Sequence, residues 1–213
     1  MITIECKAIL FDLDGTLVDS GSCIESLWAS WAKNNHVDPE YVNSIIHGRT
    51  IEETLKLISP YFYNQKCIGE IKQLAIEALG YVKPIPGAIE FINKLPGDRL
   101  AIVTSGAREV SMTSILSAGI PVPDLMITAE DVTHGKPDPE PYLQAAAKLG
   151  VLPSDCLVFE DAASGVHSAL AAGMRVIVVG SGHHGLLDEA SIQLADYTNI
   201  QVEYKEESFF LSW

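Results

Sequence analysis

Two carboxylates, Asp12 and Asp14, stand one residue apart directly after the apolar run 8–11. In an extended backbone, residues i and i+2 project to the same side, and the following Gly15 and Thr16 let the chain turn away. Like-charged carboxylates this close stay ionised together only where a cation or several hydrogen-bond donors offset their repulsion. A divalent metal is the simplest such cation, so the spacing predicts a metal site at the end of this run.

The apolar runs that position such groups alternate with helical patterns, which is typical of βαβ units on a parallel sheet. Residues 8–11 predict a strand buried on both faces. The later runs are residues 100–103, 125–127, 156–159 and 176–179. In an open parallel sheet the carboxyl ends of the strands meet at one edge, where ligands bind. Three of these runs end in groups that bind metals or oxyanions, so we expect one site at that edge.

The second of the three polar strand ends is Thr104-Ser105-Gly106, which precedes a helix predicted to begin near Arg108. Hydroxyls and backbone amides at a helix start bind phosphate oxygens. Capping of the helix by Ser105 is the alternative interpretation.

The third polar strand end is Glu160-Asp161, and a lysine, Lys136, precedes a proline-started helix. Taken alone, the two acids could be a charge pair at a helix N-terminus and the lysine a solvated surface charge. Beside Asp12 and Asp14, the acids complete an oxygen-rich site suited to Mg²⁺, and a single cation among several carboxylates is physically reasonable.

A helical block of about sixty residues separates the first strand from the others. Apolar residues recur at helical spacing between Asp19 and Val82, and Pro84 with Pro86-Gly87 marks a return. The pattern predicts an α/β core formed by residues 1–17 and 84–213, with residues 18–83 inserted as a helical domain. The alternative is that most of these apolar residues simply cover the sheet.

Four segments resemble, in order, the four motifs of the haloacid dehalogenase superfamily of phosphatases and phosphomutases. They are Asp-Leu-Asp-Gly-Thr-Leu-Val-Asp-Ser from Asp12, the Thr104 segment, the string around Lys136, and the string from Phe159 to Val166. The resemblance implies a Rossmann-like parallel sheet carrying an inserted helical cap. It also implies that the enzyme forms an aspartyl-phosphate intermediate.

The resemblance assigns roles to individual residues. Asp12 is the expected nucleophile, Asp14 the acid and base, and Lys136 the cation that pairs with Asp12 and the transferring phosphoryl group. Mg²⁺ is expected on the Asp12 carboxylate, the Asp14 backbone carbonyl and Asp161, with Glu160 as a ligand or as a neighbour of the ligands. Thr104, Ser105 and Gly106 are the expected contacts of the phosphoryl oxygens.

The segment His47-Gly48-Arg49-Thr50 resembles the cap loop through which these enzymes recognise the leaving group of the substrate. Together with strings at 28–32, 103–106 and 128–132, it resembles the sugar-phosphate and glycerol-phosphate phosphatases of the superfamily. His47 and Arg49 are therefore expected to bind substrate. His183 and His184 are interpreted as loop residues, because nothing nearby completes a metal site.

Three alternatives accompany this hypothesis. A β-phosphoglucomutase-like enzyme would use the same core and return the phosphoryl group to a sugar. A receiver-like phosphoacceptor combines similar residues but is shorter and lacks the helical insertion. A dehalogenase is disfavoured, because Asp14 supplies the acid and base of the phosphotransfer branch.

Composition limits the remaining possibilities. The 213 residues carry a formal net charge of −14, which disfavours a nucleic-acid or anionic-membrane partner. The small phosphorylated metabolite that the resemblance implies as substrate would therefore have to be attracted locally. The four cysteines are scattered and predict reduced thiols. Without a signal peptide or membrane-spanning run, we expect a cytoplasmic protein that is a monomer or a weak homodimer. The apolar tail 209–213 is expected to pack against the body.

Overall fold

The computed structural model describes residues 3–180 and 192–213. The predicted loop residues His183 and His184 lie outside this range. The described strands are β1 (Thr3–Cys6), β2 (Ala8–Phe11), β3 (Val18–Asp19), β4 (Lys83–Pro84), β5 (Leu100–Val103), β6 (Met126–Ile127), β7 (Cys156–Glu160), β8 (Arg175–Val179), β9 (Gln193–Leu194), β10 (Gln201–Lys205) and β11 (Ser208–Ser212). The described helices are α1 (Gly21–Asn34), α2 (Pro39–Ile45), α3 (Ile51–Ile58), α4 (Gln65–Leu79), α5 (Ala88–Ile92), α6 (Arg108–Ala118), α7 (Glu140–Leu149) and α8 (Ala163–Ala171).

The core of the fold is a six-stranded sheet in the order β6-β5-β2-β7-β8-β9, in which every neighbouring pair is parallel. The predicted α/β class and its parallel sheet are thus confirmed. Strand β2 lies between β5 and β7, with Ile9 opposite both Leu100 and Leu157. This arrangement puts the carboxyl ends of β5, β2 and β7 side by side.

Both faces of this sheet are covered, as the continuous apolar runs predict. The side chains of Ile9 and Phe11 belong to one buried apolar cluster, and those of Ala8 and Leu10 belong to the cluster on the other face. The alternation follows from the two-residue period of a strand. All four residues are completely buried, so β2 is a fixed support for the residues that follow it.

Helices α1 to α4 occupy the predicted insertion and enclose an apolar cluster of their own, which includes Trp28, Trp31 and Leu55. Local signals set their ends: Asp38 accepts a hydrogen bond from the Glu40 amide at the start of α2, and Thr50 and Glu53 form a capping box at the start of α3. The short antiparallel pair of β3 and β4 links this block to the core. Helix α4 also packs against α6 of the core.

The two ends of the chain form a second sheet that the sequence patterns did not predict. Its strands run antiparallel in the order β1-β11-β10. Phe209 and Leu211 are buried in the main core cluster, so the predicted packing of the apolar tail is confirmed. All four cysteines are free thiols. Among the described helices, none is long and apolar enough to cross a membrane.

Candidate active site

The polar ends of β2, β5 and β7 line one cavity of about 570 Å³. Asp12 directly follows β2, and its backbone amide donates a hydrogen bond of 3.0 Å to the Phe159 carbonyl of β7. Asp14, Thr104 and Asp161 line the same cavity. The cavity volume falls within the roughly 300–1,000 Å³ of small-molecule sites.

Lys136 is the buried cation of the site, with 1% of its surface exposed. Its Nζ atom donates to Asp12 Oδ1 at 2.7 Å, to Glu160 Oε1 at 2.6 Å and to the Val103 carbonyl at 2.8 Å. Burial alone would lower the pKa of Lys136, but the charges of Asp12 and Glu160 outweigh it and raise the pKa. The side chain therefore stays cationic, and its three ammonium protons all have acceptors.

Glu160 is held by donors on both carboxylate oxygens. The Tyr142 hydroxyl donates to Oε1 at 2.8 Å, and the backbone amides of Asp161 and Ala162 donate to Oε2 at 3.0 and 3.2 Å. Gly165 on α8 leaves the space for this carboxylate, because a Cβ atom there would lie 1.7 Å from Oε1. Glu160 thus orients Lys136, as well as belonging to the acidic cluster.

The acidic cluster fits a hard divalent cation. Asp12, Glu160 and Asp161 each offer one oxygen, and these oxygens lie within 4.8 Å of one another. Desolvation by burial raises the pKa of Asp12 to about 8 and that of Asp161 well above its usual range. One lysine does not balance this many carboxylates, so a bound cation would favour their ionised forms. Oxygen ligands of this kind suit Mg²⁺.

Asp14 is held apart from that cluster. Its Oδ1 atom accepts a hydrogen bond of 2.7 Å from the Ser20 hydroxyl, and the pocket-lining position leaves it next to the space for substrate. Burial raises the pKa of Asp14. A carboxyl group that keeps its proton to higher pH is suited to act as a general acid. Its predicted role as a metal ligand concerned the backbone carbonyl and stays a prediction.

The segment after β5 forms a polar turn at the cavity. Thr104 is buried, and its Oγ1 atom accepts from the Gly106 amide at 3.0 Å. The Ser105 hydroxyl donates to the Gly48 carbonyl at 2.9 Å and does not cap α6, whose N-cap residue is Ala107 without a side-chain bond. The capping alternative for Ser105 is therefore wrong. The Ser105 contact joins this turn to the helical insertion.

The insertion supplies the remaining walls of the cavity. His47 and Arg49 line it, as do Glu25 and Trp28 of α1. His47 Nε2 lies 3.1 Å from Glu25 Oε1. Within the residues that the structure describes, the Arg49 guanidinium makes neither a hydrogen bond nor an ion pair. The structure thus brings every sequence-predicted site residue to the cavity or to the Lys136 network beside it.

Sequence reasoning missed three residues of the site: Ser20, Glu25 and Tyr142. Ser20 closes the motif string that begins at Asp12, which is a signal that could have indicated it. Tyr142 stands six residues after Lys136 in the third motif string. Glu25 carried no signal, because a lone glutamate on a helix is indistinguishable from a solvated one until its neighbours are known.

Comparison with known proteins adds independent information. A family model described as haloacid dehalogenase-like hydrolase matches residues 9–179. Hexitol phosphatase A of Escherichia coli is 42% identical over 82% of this chain and 83% of its own. Glycerol-1-phosphate phosphohydrolase 2 of Saccharomyces cerevisiae is 31% identical over 83% of this chain and 75% of its own. The solved structure of a putative beta-phosphoglucomutase from Bacteroides vulgatus is 32% identical, covers 90% of this chain and 84% of its own, and has a TM-score of 0.73.

Proposed function

We propose that this chain releases phosphate from small sugar or polyol phosphates with Mg²⁺. The chain belongs to the haloacid dehalogenase-like hydrolase family and is a phosphoric monoester hydrolase. The observation that carries the proposal is the 2.7 Å contact of buried Lys136 with Asp12, which lines the cavity together with Asp14. The hexitol and glycerol phosphates named for two relatives support the substrate class. We also propose that residues 18–83 form a cap domain on a core of residues 1–17 and 84–213.

In the first half of the proposed reaction, an Asp12 oxygen attacks phosphorus. The new oxygen–phosphorus bond forms as the bond to the leaving sugar oxygen breaks, and Asp14 gives its proton to that oxygen. Ser20 holds the Asp14 carboxyl group in place through its 2.7 Å hydrogen bond. The products of this half are the free alcohol and an aspartyl-phosphate.

In the second half, water attacks the phosphorus of the aspartyl-phosphate. Asp14, now ionised, takes a proton from that water, and the bond between phosphorus and Asp12 breaks to release inorganic phosphate. Asp12 and protonated Asp14 are thereby restored. The two halves replace one difficult displacement by two easier ones.

The charge that develops on the phosphoryl oxygens is met by groups fixed before the reaction begins. Lys136 stays cationic and is held by three acceptors, and the turn after β5 offers the Thr104 hydroxyl and the Ser105 backbone amide. Asp12, Asp161 and the Asp14 carbonyl would hold Mg²⁺, with Glu160 beside them. When bound, Mg²⁺ supplies electrostatic stabilisation of the phosphoryl oxygens and offsets the excess carboxylate charge.

The replacement of Asp12 by Asn tests the proposal. The amide is a poor nucleophile of nearly equal size, so Mg²⁺-dependent phosphate release from sorbitol 6-phosphate should fall by at least about 10³-fold. The thermal unfolding midpoint should show that the variant is folded. Substantial Mg²⁺-dependent turnover by the folded variant would contradict the assignment of Asp12 as nucleophile.

A phosphomutase is the second candidate function, favoured by the similarity to the putative beta-phosphoglucomutase structure. Both enzymes would form the same aspartyl-phosphate and differ in the acceptor, which is water for a phosphatase and a sugar hydroxyl for a mutase. Incubation with glucose 1-phosphate and Mg²⁺ separates the two. Stoichiometric release of inorganic phosphate is expected, whereas accumulation of an isomerised sugar phosphate would favour the mutase.

A further inference from the structure

A glutamate and a histidine from different elements of the insertion meet inside the cavity. Glu25 lies on α1, and His47 lies between α2 and α3. Glu25 Oε1 is 3.1 Å from His47 Nε2, and the two side chains are 48% and 49% exposed. The second carboxylate oxygen, Oε2, has no hydrogen-bond partner in the part of the chain that the structure describes. The pair is thus accessible from the cavity and retains unused bonding capacity.

Two hydrogen bonds from core hydroxyls to backbone carbonyls hold the loop that carries His47. The His47 carbonyl accepts from the Ser164 hydroxyl at 3.5 Å, and the Gly48 carbonyl accepts from the Ser105 hydroxyl at 2.9 Å. Gly48 has a φ of +71°, and a Cβ atom there would lie 1.9 Å from Ser164 Oγ, so only glycine fits this approach. These contacts hold the His47 loop against the core at the cavity that Asp12 also lines.

The insertion also gives the cavity wall an apolar part, formed by the side chains of Ile24, Trp28, Ile46 and Ile51. Ser20, Arg49 and Thr54 are its other polar side chains. A leaving group that matches this wall has a carbon skeleton on one side and polar groups on the other, as in a polyol or an open sugar chain.

The charged side chains of the wall, Glu25 and Arg49, also limit which polar groups the leaving group of the substrate can carry. Glu25 supplies acceptor oxygens and a negative charge, and Arg49 supplies donors and a positive charge. Hydroxyl groups can donate to the first and accept from the second. A second phosphate or a carboxylate on the leaving group would satisfy Arg49 but would be repelled by Glu25.

We infer that Glu25, paired with His47, is a specificity-determining residue that favours a neutral polyhydroxy leaving group and rejects a second anionic group. The inference rests on the proposed phosphatase function. It concerns recognition of the leaving group alone, because neither side chain belongs to the Lys136 network or to the acidic cluster.

Steady-state phosphate release from three substrates tests the inference: sorbitol 6-phosphate, 2-phosphoglycolate and p-nitrophenyl phosphate, each with Mg²⁺. In Glu25→Gln, the ratio of kcat/KM for sorbitol 6-phosphate to that for p-nitrophenyl phosphate should fall about tenfold, since a hydrogen bond to a charged acceptor is lost. The ratio of kcat/KM for 2-phosphoglycolate to that for sorbitol 6-phosphate should rise by a similar factor. Glu25→Asp keeps the charge and should retain the rejection of 2-phosphoglycolate.

Glu70→Gln on α4 is the matched control, because it removes one negative charge from an exposed position outside the cavity. It should leave both ratios unchanged. His47→Gln should move the sorbitol ratio in the same direction as Glu25→Gln, and the two changes together should cost less than their sum, because the residues act as a pair.

Different results would contradict the role of Glu25 and the proposed phosphatase function. If Glu25→Gln leaves both kcat/KM ratios unchanged, whether or not activity falls equally on all three substrates, the inference is overturned and the phosphatase proposal stands. Absence of Mg²⁺-dependent phosphate release by the unmodified protein from every substrate would overturn the proposed function itself. A preference of the unmodified protein for 2-phosphoglycolate over sorbitol 6-phosphate would overturn both the substrate class and the role of Glu25.

Discussion

The two aspartates of the first motif are chemically identical, and their surroundings make them different. Asp12 contacts Lys136 and belongs to the acidic cluster, whereas Asp14 is hydrogen-bonded by Ser20 and faces the substrate space. Burial raises the pKa of both carboxyl groups, to about 8 for Asp12 in spite of the neighbouring Lys136 cation. In the proposal, bound Mg²⁺ would favour the ionised form that Asp12 needs as nucleophile, whereas Asp14 would keep the proton that a general acid needs. In the proposal, one motif thus provides two functions, because its two aspartates have different hydrogen-bond partners.

At the residue scale, we predict that Asp14→Asn separates substrates by the quality of their leaving group. Loss of the general acid should lower kcat for sorbitol 6-phosphate by about 10²–10⁴-fold. The loss for p-nitrophenyl phosphate should be much smaller in the first step, because nitrophenolate leaves without a proton. A burst of nitrophenol followed by slow turnover would be the expected time course. Equal loss of the burst and of the steady-state rate would contradict the assigned role.

At the scale of elements, the site depends on close approach between a helix and a strand end. Helix α8 begins at Ala163, three residues after Glu160 at the end of β7, and Gly165 in its first turn lets the Glu160 carboxylate lie against the helix. The Tyr142 hydroxyl from α7 completes the support of the same carboxylate. Two helices therefore position a group whose task is to hold Lys136.

The glycines of two helices provide a matched comparison. Gly165→Ala places a Cβ atom where Glu160 lies, so it should destabilise the protein by about 1–3 kcal/mol and sharply reduce phosphatase activity. Gly69→Ala lies on the exposed side of α4, where an added Cβ meets nothing within 4 Å. It should leave activity unchanged and stabilise the fold by up to about 1 kcal/mol. Urea unfolding and phosphate release measure both; similar stabilities for the two variants would refute this account of Gly165.

At the scale of the whole molecule, the net charge of the protein has the same sign as that of the proposed substrate. The net charge of −14 does not attract an anionic substrate over long distances. In the proposal, Lys136, Arg49 and bound Mg²⁺ would supply the attraction inside the cavity. The acidic exterior does not prevent this local attraction, because charges separated by more than about 8–10 Å are largely screened at physiological salt.

Two buried thiols should make the free energy of unfolding of the whole protein depend on pH in the alkaline range. Burial raises the pKa of Cys6 and of Cys156 to about 12, whereas an unfolded thiol titrates near 8.5. Above that value the unfolded chain loses protons that the folded chain retains, so stability should fall as pH rises towards 12. The expected slope is about 1.4 kcal/mol per pH unit for each thiol.

Urea midpoints at pH 8, 9 and 10 measure this effect. Cys6→Ala and Cys156→Ala should each flatten the pH dependence, even though they start from a lower stability because a buried side chain is truncated. Cys67→Ala is the control, because its side chain is only half-buried. The same slope in all four proteins would show that the thiols do not account for the loss.

The sequence by itself determined the α/β class, the five apolar strands of the core and the residues of the four motifs. It could do so because each of these is a local property: a continuous apolar run has to be buried on both faces, and polar groups at strand ends share one edge of a parallel sheet. The packing of the apolar tail was also predictable, since Phe209 and Leu211 had to leave water.

Only the tertiary structure decided which polar groups meet. In the structure the Ser105 hydroxyl donates to the Gly48 carbonyl and does not cap a helix. The structure also places the Tyr142 hydroxyl against Glu160 and pairs Glu25 with His47, which lie on different elements. It also brought the two chain ends together as one antiparallel sheet. These contacts span many residues and depend on how helices lie on the sheet, and no local periodicity encodes that placement.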